Sequence, residues 1–351
     1  MLALISNDRP RSIVLSILFV GILIGLAGAP FLFPGSRSLE TAARIAVFIV
    51  LVASYDLMLG YSGIVSFAHT MFFGIGAYGV AIAAHALPPG FLTVTVGALG
   101  GIALSAVLAV VIGLLSLRVR AIFFAMITLA IASAFAVLVS QLSSMTGGED
   151  GLNYAIPHAL TPAFKLIDGR VFGIRLDGKV MNYYLVFTVS LALFLIMLRI
   201  VNSPFGSVLK AIRENDFRAE AIGYRVVIYR TAVTSISAAI AAAAGALYAV
   251  WLRYVGPDTA LSMEIMIDVL LMVVIGGMGT MYGAVIGATV FVLAQNYLQA
   301  LMGTVAGALS GVPILPNLFD PDRWLLWLGL LFVLSVYFFP TGVVGRLRRD
   351  D

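Results

Sequence analysis

Ten apolar runs, most of them long enough to cross a hydrocarbon core as a helix, constrain this chain more than anything else in it. They lie at about residues 13–33, 42–59, 71–87, 92–117, 121–141, 183–201, 231–252, 264–280, 283–303 and 324–340. A core about 30 Å thick takes about 20 apolar residues of helix, and a helix satisfies its own backbone groups where lipid offers no partner. Composition agrees: 61% of the 351 residues are hydrophobic and 11% are charged, against about a quarter charged in a soluble domain. The expectation is an all-α membrane protein, a polytopic bundle of about ten transmembrane helices. With no long polar block, it forms a single transmembrane domain over 1–351. The chain has no cysteine, which excludes a disulfide framework, a CxxC redox pair and a thiolate metal site.

The first run contains Ala27-Gly28-Ala29, a small-x-small pattern of the kind found at secretory cleavage sites. Pro30 follows it and the apolar run continues, so the segment reads as a retained span. Lys and Arg set the orientation. With the N-terminus inside, 13 of the 21 basic residues fall on the inner side, six of them between Arg199 and Arg230. Both termini are then cytoplasmic, residues 142–182 form an external loop, and residues 202–230 form a cytoplasmic segment. The external loop holds two Asp-Gly turn signals, Asp168-Gly169 and Asp177-Gly178, flanking a short hairpin strand expected over 171–176.

The cytoplasmic segment carries the densest charge in the chain. Ser203 suits an N-cap, Pro204 the first helical position and Gly223 a C-terminal stop. Lys210 and Glu214, then Glu214 and Arg218, stand at i,i+4 spacing, and Asn215-Asp216 offers a break into two short helices. Val208, Ile212, Phe217 and Ala221 supply an apolar edge for a partner. The plain alternative is a solvated connector.

Small and polar residues inside the apolar runs are the other signal. Residues 60–69, Gly-Tyr-Ser-Gly-Ile-Val-Ser-Phe-Ala-His, imply irregular backbone buried in protein or lining a wet cavity. Gly74 to Gly79 fits G-x-G-x-x-G, but no strand precedes it, so it is no nucleotide loop. Gly97/Gly101, Gly279/Gly283/Gly287 and the alanine-rich 238–245 suit close helix contact. Asp56 and Asp268 fall within runs, where a carboxylate is costly and tends to face a bundle interior or a path. His69 and His85 lack neighbouring metal ligands and read as buried, hydrogen-bonded side chains. The candidate path or gate residues are Asp56, Ser62, Ser66, His69 and Asp268, with Gln295 and Asn296 behind them. No phosphate-binding G-x-x-x-x-G-K-[ST] occurs, so an ATP-driven role requires a separate ATPase. No catalytic grouping argues for an enzyme.

Several blocks taken in order resemble the longer permease subunit of bacterial branched-chain amino acid ABC importers. They are Gly60-Tyr61-Ser62-Gly63 with Ser66 and His69, Phe72 to Tyr78, Leu117 to Met126 and Thr146-Gly147-Gly148-Glu149-Asp150-Gly151. Ser203-Pro204-Phe205-Gly206, Lys210 to Asn215, Ala219 to Gly223, Gly245 to Ala249, Leu270 to Gly279 and Phe339-Pro340-Thr341-Gly342 follow. Two positions depart from the family pattern: Asp56 stands where an amide is usual, and Ala68 where a glycine precedes the histidine. The resemblance implies a vitamin B12 importer-like permease fold in the bacterial inner membrane. It also implies a paralogous permease partner, two cytoplasmic ATPases that hold ATP and Mg, a periplasmic or lipid-anchored substrate-binding protein, and no cofactor in this chain. It places ATPase coupling on Lys210, Ala211, Arg213, Glu214, Asn215, Phe217, Arg218 and Glu220. Related permeases carry urea or short amides. An ion-coupled secondary transporter using Asp56 or Asp268, and a membrane scaffold that recruits a soluble partner, are the competing readings.

Overall fold

The structure is a computed structural model that describes residues 13–32, 35–116, 121–171, 174–308, 320–338 and 342–347. Each apolar run becomes a helix: α1 Ile13–Ala27, α2 Ser36–Ser62, α3 His69–Ala86, α4 Phe91–Ser116, α5 Ala121–Gln141 and α6 Gly178–Val201. Two short helices follow, α7 Pro204–Glu214 and α8 Asp216–Ala221. Then come α9 Val226–Leu252, α10 Met263–Gly276, α11 Met281–Ala308 and α12 Trp324–Phe338. Among the described residues seven helical stretches are long and apolar enough to cross a membrane: α2, α4, α5, α6, α9, α11 and the stretch 257–276 that ends in α10. Helices α1 and α12 have 15 residues each. Helix α3 has 18 but carries His69 and three glycines in its first eleven positions and His85 near its end.

Helix α2 is the axis of the bundle, with 89% of its most apolar window buried against 17% for α5. It packs against α6, α9, α10 and α11, and α9 in turn packs against α3 and α4. Close backbone approach makes this possible. A Cβ on Gly76 of α3 would lie 1.8 Å from the Ala242 carbonyl oxygen of α9, and one on Gly245 of α9 would lie 1.9 Å from that of Phe73. Gly79 and Gly97 approach each other in the same way, each hypothetical Cβ falling within 2.6 Å of the other's carbonyl. The G-x-G-x-x-G glycines thus serve helix packing, which in lipid rests on contact between small residues rather than on a hydrophobic driving force.

The α10–α11 pair is a tight hairpin, with Gly276 against Gly283 and Gly287 against the Met272 carbonyl. Gly279 does not belong to that helical stripe. It lies in the connecting turn at φ +80°, a left-handed conformation that glycine adopts freely. The first helix is held in place at its end: Tyr183 Oη donates to the Leu26 carbonyl at 2.5 Å and Tyr184 Oη to that of Ala27 at 3.0 Å.

At the end of the bundle opposite α7, strand β1 Leu152–Asn153 pairs antiparallel with β4 Tyr254–Val255, and β2 Lys165–Val171 with β3 Ile174–Asp177. The hairpin differs from the expected strand over 171–176. Val171 of β2 pairs with Ile174 of β3, so that range spans parts of two strands rather than one. Asp168-Gly169 sits inside β2, where the register slips between Lys165 and Arg170. Asp177 is no turn residue either; its Oδ1 accepts from Val180 N at 3.1 Å and caps α6.

Candidate coupling and translocation site

The polar segment begins as the sequence implies. Ser203 Oγ accepts from Gly206 N at 3.4 Å, and Pro204 fills the first turn of α7. The break comes at Asn215, whose Oδ1 accepts from Arg218 N at 2.8 Å and so caps α8. Gly223, at φ +99°, ends α8 while Tyr224 N closes onto the Ala219 carbonyl.

The break redistributes the expected contacts. Glu214 and Arg218 now belong to different helices, so they form no i,i+4 pair. The ion pair recorded among the described residues is instead Asp216 with Arg230, at 3.4 Å. The apolar edge also divides. Ile212, Ala219 and Val226 cluster inward with Val208 and Tyr229. Phe217 is 81% exposed and Ile222 69% exposed, and Ala221 is exposed as well. Lys210, Ala211, Arg213, Glu214, Asn215, Arg218 and Glu220 are exposed around them.

Arg213 and Lys210 also reach back to the bundle. The Arg213 guanidinium Nη1 donates to the Gly60 carbonyl at the end of α2. Lys210 places its ammonium 5.2 Å from the centroid of the Tyr61 ring, a cation–π distance. Beside them, Asp56 Oδ1 accepts from Gly279 N at 2.8 Å, tying α2 to the α10–α11 turn. Asp56 is 1% exposed. Gly60 and Gly279 let this cluster pack closely. A Cβ on Gly60 would lie 2.1 Å from Asp56 Oδ1, and one on Gly279 would lie 2.6 Å from Arg213 Nη1. Three elements distant in sequence therefore meet at one end of the bundle. Sequence reasoning named Arg213 and Asp56 separately; that they share a junction, and that Gly60, Tyr61 and Gly279 complete it, had no local signal.

The other candidate residues sit apart from this junction. Residues 63–68 are non-helical, with Ile64, Ser66 and Ala68 buried, and Ser66 Oγ accepts from Ala68 N at 3.2 Å. Ser62 Oγ donates to the Met58 carbonyl at 2.7 Å. His69, 1% exposed, has Nε2 2.8 Å from Ser54 Oγ and its ring 5.2 Å from that of Tyr55. The Ser54 carbonyl in turn accepts from Ser237 Oγ of α9 at 2.5 Å. This buried chain joins α2, α3 and α9. Asp268 stands apart from it: its Oδ2 accepts from Gln295 Nε2 at 3.4 Å across the α10–α11 hairpin.

An apolar helical bundle with buried polar junctions and an exposed two-helix segment at one end is the build of a multi-pass membrane permease. The chain belongs to the family of permease components of branched-chain amino acid transport systems, whose model matches residues 38–336, and it is a permease subunit of the ABC importer type. It is 28% identical over 322 residues to the high-affinity branched-chain amino acid transport system permease protein LivM of Salmonella typhimurium, covering 87% of this chain and 74% of that protein. The protein of the same name from Escherichia coli is 27% identical at the same coverage. A probable branched-chain amino acid transport permease protein LivM from Methanocaldococcus jannaschii is 24% identical, over 85% of this chain and 90% of the relative. No solved structure matches significantly.

Proposed function

We propose that this subunit moves branched-chain or other hydrophobic amino acids inward across the bacterial cytoplasmic membrane by ATP-driven alternating access. In this reading the seven long stretches are completed by α1, α3 and α12, making ten spans in a single domain arranged as in the vitamin B12 importer class, with both termini cytoplasmic. The α7–α8 segment faces two ATPase subunits that bind ATP and Mg. A paralogous permease and a substrate-binding protein complete the machine.

The observation that carries the coupling role is the two-sided character of α7–α8. Phe217 and Ile222 are turned outward and exposed, while Arg213 on the same segment is bonded to Gly60. An ATPase that grips the outer face would displace α7 and, through Arg213, the end of α2. The Asp56–Gly279 bond would carry the same displacement to the α10–α11 turn. Nucleotide shifts such an equilibrium only if this contact differs between states.

The test is leucine uptake and ATPase activity in proteoliposomes holding the subunit with its partners. The expected result is ATP-dependent uptake. Phe217→Ala and Arg213→Gln should insert normally yet lower substrate-stimulated hydrolysis about tenfold. Uptake by this chain alone, driven by a proton gradient and abolished by Asp268→Asn, would replace the reading with an ion-coupled one.

A further inference from the structure

At the end of the bundle opposite α7, a cavity of about 150 Å³ opens between the starts of α2 and α6, the end of α9 and the 158–164 loop. At about 1.5 Å of rise per residue, Glu40 at this mouth and Gly60 at the coupling end stand about 30 Å apart along α2. The cavity is far larger than the ~10–15 Å³ that one ordered water needs. Its wall carries Glu40, Lys179 and Arg253, with Asn182 and Trp251 between them.

Three features distinguish it from an ordinary surface dent. First, charges of both signs line one space, and among the described residues no ion pair is recorded for Glu40, Lys179 or Arg253. Lys179 is held to one side, its ammonium 3.4 Å from Ser36 Oγ and 6.0 Å from the centroid of the Trp251 ring. Second, Asn182 is 3% exposed, and its Nδ2 donates to the Val250 carbonyl at 3.2 Å while its Oδ1 has no partner. A buried acceptor left unmade costs free energy unless something supplies the donor. Third, Arg253 is the only non-glycine described residue with positive φ, at +61°. That conformation places a guanidinium where glycine would cost less.

We infer that this cavity is a receiving subsite for a free zwitterionic α-amino acid. Glu40 takes the ammonium group, and Lys179 and Arg253 take the carboxylate. The inference rests on the amino-acid reading above and adds a place and a chemistry to it. Binding here reads the backbone of the substrate, so a range of apolar side chains is accommodated at one site.

The experiment uses the full chain in lipid nanodiscs and follows fluorescence of Trp251, one of three tryptophans, with Trp251→Phe as the background. Leucine should quench saturably. Leucine amide, which lacks the carboxylate, and 4-methylpentanoate, which lacks the ammonium, should each require at least about tenfold more, the scale of one lost charge-assisted hydrogen bond. Glu40→Gln should erase the preference for leucine over 4-methylpentanoate. Arg253→Gly, which also relieves the backbone and so preserves the fold, should weaken the preference over the amide, and Arg253→Gly with Lys179→Gln should erase it. Equal quenching by all three compounds, or none that saturates, overturns the inference. If the same protein, reconstituted with its partners in sealed proteoliposomes, takes up leucine, the transport reading survives that failure. Zwitterion-selective binding without leucine uptake leaves the site standing and removes the substrate reading.

Discussion

Asp56 shows how one carboxylate inside an apolar run is made tolerable. An isolated acid at a helix centre costs roughly 2.5–3.5 kcal/mol on insertion scales, yet Asp56 is almost wholly buried and receives Gly279 N. The bond needs only an acceptor at Oδ1, so an amide serves as well. Asp56→Asn should leave thermal stability in detergent nearly unchanged. Asp56→Ala, which strands the Gly279 N–H, should cost about 2 kcal/mol. Equal loss in both variants would mean that the charge itself matters there. Tyr154 makes a comparable tie at the far end: burial pushes its phenol well above its ordinary range, and it donates to the Ala249 carbonyl at 2.7 Å.

Among the elements, α3 and α9 show what the small residues accomplish. The two backbones touch at Gly76 against Ala242 and at Gly245 against Phe73, leaving no room for a side chain at either glycine. Gly245→Leu should therefore force the helices apart at a cost of about 3 kcal/mol, the upper range for overpacking, and should be read as loss of the monodisperse peak in gel filtration. Gly100, with nothing within 4 Å of a hypothetical Cβ, is the control: Gly100→Leu should be neutral. The α7–α8 segment teaches the complementary lesson. Its cap at Ser203, its break at Asn215-Asp216 and its stop at Gly223 are local chemistry and were legible in the chain. The expected Glu214–Arg218 pair was not realised, because the Asn215 cap ended one helix and began another.

For the whole molecule, the proposed topology sets α7–α8 and both termini on the cytoplasmic side, the side that basic residues favour. The chain has no native cysteine, which makes this directly measurable. A cysteine placed at Glu220 should react with a membrane-impermeant maleimide only in inside-out vesicles, and one at Lys165 only in right-side-out vesicles. The reverse pattern would invert the topology. The apolar runs determined by themselves that the chain is a helical membrane protein, because lipid leaves an unpaired backbone no alternative. Runs of about twenty apolar residues also located the helices to within a few residues, and the ordered blocks of residues indicated the family. Which residues meet was decided only by tertiary structure. Arg213, Gly60, Asp56 and Gly279 converge from α7, α2 and the α10–α11 turn, and Glu40, Lys179 and Arg253 from α2, α6 and the end of α9. Hydropathy reports whether a residue prefers lipid or water, but carries no record of which helix face turns toward which neighbour. That choice is made when small residues let particular backbones touch.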